Sequence, residues 1–167
     1  NRMQQLIDLY KQWSGNEPAS VDKMQGAGSN RQYFRLTATN GSSVVGVIGT
    51  SREEDHAFIN IAKQFAEQKL PVPQVLAVSD DEMRYLQTDL GSTSLFDAIR
   101  GGREAGGRYN LAEQELLKKT IRALPGIQIR GARGMDWSVC YPQPEFNEES
   151  VLFDLNYFKY CFLKPTE

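Results

Sequence analysis

Gly26 and Gly28 open the stretch GAGSNRQYFRL, Gly26 to Leu36, with Ser29, Asn30, Arg31 and Arg35 close behind them. Two glycines and a serine leave backbone N–H groups free to approach a ligand, as a phosphate-binding loop requires. A dinucleotide-binding fingerprint would run from such a loop into a helix and would need a third glycine. Here position 31 is Arg, and Gln32 to Leu36 alternates polar and apolar residues with two aromatics, which predicts a strand. A second strand is predicted over Val44 to Ile48, just beyond the turn signal Asn40-Gly41. The glycines therefore lead into a strand rather than a helix. In isolation Gly26 and Gly28 suit an ordinary hairpin turn better than a ligand loop, and Arg31 and Arg35, alternating on one strand face, suit solvated surface charges.

The elements that must position this loop follow from periodicity. Met3, Leu6, Ile7, Tyr10 and Trp13 recur at helical spacing and predict a first helix that stops near Gly15. Ala19 to Gln25 reads as a first strand. Thr50-Ser51 precedes Glu53, Glu54 and Asp55, an N-cap with acidic residues in the first turn, where they complement the helix dipole. That helix carries Phe58, Ile59, Ala62, Phe65 and Ala66, and His56 reads as a surface residue on it. Val75 to Val78 and Arg84 to Gln87 predict two more strands joined at Asp80-Asp81. The expected architecture is a small antiparallel sheet carrying one packed helix.

Composition shifts at Thr88-Asp89-Leu90-Gly91, and a boundary is set there, giving segments 1–91 and 92–167. Asp89 could cap a helix beginning after Gly91 with Leu95, Phe96 and Ile99 on one face. Gly101-Gly102 and Gly106-Gly107 predict a flexible linker. Leu111 to Leu124 reads as a helix with a stripe of Leu116, Leu117, Ile121 and Leu124, followed by an irregular segment from Pro125 to Pro144. A last helix, about Glu148 to Leu163, carries Tyr157, Phe158, Tyr160 and Phe162 at a spacing that suits a core-facing surface.

With 167 residues, 40% hydrophobic and 24% charged, the chain is globular and can bury a core. A net charge of −2 offers no global field for nucleic acid or an anionic membrane. No apolar run approaches the ~20 residues that span a bilayer, and the N-terminal stretch is amphipathic rather than a signal peptide. Cys140 and Cys161 are too few for a disulfide framework, which makes inert thiols in a reducing cytoplasm the expectation. Two Cys and one His cannot furnish a structural zinc site, and His56 alone limits triad chemistry.

Four stretches together resemble the aminoglycoside phosphotransferase and choline kinase group, closest to its branch of cell-wall amino-sugar kinases. They are GSNRQYFRL, LPVPQVLA from Leu70 to Ala77, YLQTDLG from Tyr85 to Gly91, and DWS with DLNYFKYCFLK, Asp136 to Ser138 and Asp154 to Lys164. The resemblance implies an α+β chain: a protein-kinase-like N-terminal lobe (antiparallel sheet plus one packed helix), then the first helices of an incomplete helical C-terminal lobe. It implies nucleotide binding by Gly26, Gly28, Ser29, Asn30, Arg31 and Arg35 at the phosphates, and by Gln87, Thr88, Asp89 and Leu90 at an adenine-binding hinge. In the complete protein ATP and Mg²⁺ would serve transfer of the γ-phosphoryl to a hydroxyl, on a sugar. Kinase-like catalysis needs a loop with a proton-accepting Asp and a metal-holding Asn. No stretch here fits that loop, so the resemblance implies an inactive N-terminal portion with no catalytic residue and no metal ligand of its own. The strand Val44 to Ile48 lacks the kinase lysine, which leaves Arg31, Arg35 or Arg52 to supply the charge. That gap also suits a non-catalytic kinase-like module binding a nucleotide or partner, and a scaffold without ligand would reduce every loop to turn chemistry. Exposed apolar groups on the last helix would favour self-association.

Overall fold

The computed structural model describes residues 1–26, 28 and 30–166. Five strands, β1 (Ser20–Lys23), β2 (Gln32–Thr37), β3 (Ser43–Ile48), β4 (Val75–Val78) and β5 (Arg84–Thr88), form one sheet in the order β1-β2-β3-β5-β4. Every pairing is antiparallel. Helix α1 (Arg2–Ser14) precedes the sheet, and α2 (Arg52–Glu67) interrupts it between β3 and β4. The mixed α+β character and the antiparallel sheet agree with the sequence reading.

One packed helix was expected; two are present, one on each face. Strand alternation turns Phe34, Leu36, Val44, Ile48 and Leu86 to one side, where Leu6, Leu9 and Tyr10 of α1 cover them. Gly46 admits α1, because a Cβ there would lie 2.9 Å from a Leu6 methyl. The other face presents Val45, Val47 and Tyr85 to Ile59 of α2, with Phe58 stacked on Tyr85 at 5.2 Å between ring centroids. Each fully buried aliphatic side chain here contributes about 1.5–3 kcal/mol, so burial rather than helix propensity holds α1 and α2 in place. Ser51 caps α2, its hydroxyl accepting from the Glu54 N–H at 3.3 Å.

On the α2 face the register lays side chains in rows. Arg35 lies opposite Val45, Val45 opposite Gln87, and Gln87 opposite Val75. In the next row Tyr33 faces Val47, Val47 faces Tyr85, and Tyr85 faces Val78. Continuing the alternation, Arg31 and Gly49 fall just past the ends of β2 and β3.

Beyond β5 the chain turns at Gly91 (φ +90°) into α3 (Leu95–Ala98), α4 (Arg100–Glu104), α5 (Leu111–Pro125) and α6 (Glu148–Phe158). Gly101-Gly102 is helical rather than a flexible linker. The buried Gly102 N–H donates to Glu113 Oε1 at 2.9 Å, while Glu113 Oε2 accepts from the Asn110 N–H at 2.9 Å. The same glutamate thus ties α4 to the capping box of α5. Gly106 and Gly107, both with positive φ, form the turn between them. Helical structure also runs past Pro125 through a π turn, Gly126–Arg130, where irregular chain was expected. This end docks on α2: Arg130 donates to the Gln68 carbonyl at 2.8 Å and the Asp136 N–H to Gln64 Oε1 at 2.7 Å.

The aromatic stripe of the last helix does not face a core. Tyr157, Phe158, Tyr160 and Phe162 are exposed, as are Leu116, Ile121 and Leu124 of α5. Helical periodicity reports an apolar face, not whether another layer covers it. Among the described residues no helix is long and apolar enough to cross a membrane.

Candidate functional site

Residues 24–31 join β1 to β2, so the glycine stretch is a strand–loop–strand loop. The Met24 N–H donates to the Tyr33 carbonyl at 2.8 Å and closes its base. Gly28 has φ +73° with open space where a Cβ would stand, a conformation that strains other residues. Gly26 and Asn30 are exposed. Ser29 lies outside the described residues.

Arg31 and Arg35 are not solvated. The Arg31 side chain is 15% exposed and pairs with a residue the sequence reading had treated as a dipole partner. Its Nε stands 3.0 Å from Asp55 Oδ1, with Glu54 Oε2 3.8 Å from Nη2 and the Phe58 ring 5.5 Å from the guanidinium carbon. Asp55 has no exposed surface at all. Gly49 makes room for it: a Cβ there would fall inside the carboxylate. Asp55 Oδ2 has no hydrogen-bond donor among the described residues, and neither has the buried Tyr85 hydroxyl a partner. Burial pushes the Asp55 carboxyl up to about 6, against the pull of Arg31 and with Glu54 adding to the rise. Burial likewise raises the Tyr85 phenol. Asp55 was missed as a site residue, although it sits four and seven residues before Ile59 and Ala62, on the buried face of α2.

Arg35 serves a different network. Its Nε and Nη2 grip Asp89 Oδ2 and Oδ1 at 2.5 and 2.9 Å, and Nη1 donates to Ser92 Oγ at 2.9 Å. Ser43 Oγ and the Gly91 N–H also donate to Asp89, at 2.7 and 2.9 Å. Hydrogen bonding from Arg35 holds the Asp89 carboxyl well below the usual carboxylate range, against its desolvation, with Ser43 and Gly91 assisting. Asp89 therefore pins the segment after β5 to β2 and β3. It does not cap the following helix, which starts at Leu95 on its own cap, Ser94.

Of the other predicted hinge residues, Gln87 shares a row with Arg35, and its buried Oε1 has no partner among the described residues. The Thr88 N–H donates to the Gln74 carbonyl at 3.0 Å, so that donor is engaged within the sheet edge. Leu90 is exposed. Arg52 reaches Glu82 at 3.5 Å from an exposed position, beside His56, whose Nδ1 lies 3.0 Å from the same carboxylate.

The α2 face thus holds two arginine–aspartate pairs, one at the foot of the glycine loop and one locking the segment after β5. The first lies where the glycine loop enters β2; the second is held further by Ser43, Ser92 and the Gly91 N–H. Among the described residues no three His, Cys, Asp or Glu side chains gather as metal ligands would.

No protein-family model matches the chain. It is 30% identical over 134 residues, 80% of its length, to the N-acetylmuramate/N-acetylglucosamine kinase of Neisseria meningitidis serogroup B (strain ATCC BAA-335 / MC58). The chain spans 36% of the length of that relative, and the similarity relates it to a sugar kinase.

Proposed function

We propose that this chain is the ATP-binding portion of a small-molecule kinase whose hydroxyl substrate is a sugar of the amino-sugar class, within a kinase-like N-terminal lobe ending near Gly91. The similarity to an amino-sugar kinase over 80% of the chain carries the reading. Three features of the α2 face fit a nucleotide: a glycine loop between antiparallel strands, a largely buried arginine at its foot, and the Oε1 of Gln87, without a partner among the described residues. In this reading the loop from Gly26 to Asn30 lays backbone N–H groups over the phosphates and Arg31 supplies the positive charge. Gln87 through Leu90 border the base, with Asp89 and Leu90 offering the backbone groups because the Thr88 N–H is engaged. Arg35 holds that border in place through Asp89. Mg²⁺, when bound with ATP, neutralises charge developing on the phosphates. In this reading none of the site residues named here is assigned to hold Mg²⁺ or to take the hydroxyl proton.

A second reading, a kinase-like module that binds nucleotide without turnover, is favoured by one observation. The strand Ser43–Ile48 has no lysine, and Arg35 is occupied by Asp89. Incubating the intact protein with γ-labelled ATP, Mg²⁺ and N-acetylated amino sugars separates the two. Label transferred to sugar is expected. ATP binding without transfer to any sugar would favour the second reading.

A further inference from the structure

We propose that Asp55 is the positioning residue of the phosphate site: its buried carboxylate fixes the Arg31 guanidinium at the foot of the glycine loop. The assignment rests on the kinase reading and goes beyond it by naming what aims the arginine. Three observations converge. The carboxylate is completely buried and in contact with the guanidinium at 3.0 Å. Gly49 vacates the space the carboxylate fills, so β3 is shaped around it. Neither carboxylate oxygen has a hydrogen-bond donor among the described residues, so the ion pair with Arg31 is the interaction that answers its charge there.

The surroundings supply an electrostatic reason. Around Asp55 stand Arg31 from the β2 side, Glu54 on its own helix and Tyr85 on β5, with Tyr33 beside Arg31 and Tyr85, while Gly49 of the β3 edge brings no charge. Arg31 is the cation facing it there. Burial and Glu54 both favour the protonated acid, so the ionised form that grips Arg31 is unfavourable for the fold itself. Kinases commonly orient a strand lysine with a helix glutamate. Here the cation comes from the start of β2 and the anion from the first turn of α2, with the strand lysine missing.

The test is a double-mutant cycle in the intact protein, with ATP affinity measured for wild type, Asp55→Asn, Arg31→Ala and the double variant. Asp55→Asn is expected to weaken ATP roughly tenfold in the wild-type background and to add less than twofold to Arg31→Ala. A loss of equal size in both backgrounds overturns the assignment, and so does tighter ATP binding by Asp55→Asn, which would make the carboxylate a competitor of phosphate. If Asp55→Asn does not fold, the affinity advantage of wild type over Arg31→Ala is followed from pH 8 to pH 5. It should shrink below about pH 6 as Asp55 takes its proton. Arg31→Ala serves as the reference that cancels protonation of ATP itself, and an advantage flat across that range is contrary to the proposal. Wild-type protein that binds no ATP overturns the kinase reading and this assignment with it. ATP binding that Asp55→Asn leaves unchanged overturns this assignment alone.

Discussion

Arg31 and Arg35 sit four residues apart and face the same side of the sheet, yet their partners give them different work. Arg35 is locked in a bidentate grip on Asp89 and is 26% exposed on its side chain. Truncating it would strand a nearly buried carboxylate, so Arg35→Ala should destabilise the protein by about 1–3 kcal/mol at pH 7. The pH dependence fixes the sign. The native carboxyl of Asp89 is held below its unfolded value of about 4, so it contributes stability above that pH and loses it as acid protonates the native state. Urea unfolding at pH 7 and pH 3 should therefore show wild type losing part of this margin in acid, while Arg35→Ala is already without it. An equal acid sensitivity in both proteins would mean that the pair does not carry the linkage. Asp55 has the reverse sign: raised to about 6, it lowers stability as pH climbs from about 4 to 6.

At the scale of elements, the strands and the two long helices were legible because each buries a face whose period shows in the residues. Val44 to Ile48 and Arg84 to Gln87 were placed within a residue of their ends. The packing of α1 was not legible, since an amphipathic stripe does not say which face of a sheet it covers. Nor was α4, where Gly101-Gly102 reads as a breaker until Glu113, eleven residues on, is brought to the Gly102 N–H. There glycine is chosen by crowding: a Cβ on Gly102 would meet the Tyr109 ring and lie 2.8 Å from the Tyr109 Cα. Gly102→Ala should cost about 1–3 kcal/mol by forcing the α4–α5 turn apart, despite alanine's better helix propensity. Thermal unfolding would check it; a stabilised variant would show that the turn yields freely.

For the whole molecule, the division of labour follows the layers. The sheet between α1 and α2 is where the core lies, and it presents the glycine loop, Arg31 and the segment after β5 along one face. The helical stretch beyond Gly91 leaves many apolar side chains of α5 and α6 exposed. The loop and its two arginines were visible in the sequence as residue types. Their pairing was not, because it depends on Asp55 and Asp89, which reach them only through the sheet register and the seat of α2. In the proposed function the glycine loop with Arg31 at its foot binds the phosphates of ATP. Calorimetric titration of the intact protein with ATP, in wild type and Arg31→Ala, tests it most directly. An arginine fork on phosphate oxygens is worth roughly 1.5–3 kcal/mol, so Arg31→Ala should weaken ATP about ten- to a hundredfold. Binding that changes by less than threefold, or wild-type protein that releases no heat with ATP, would contradict the account.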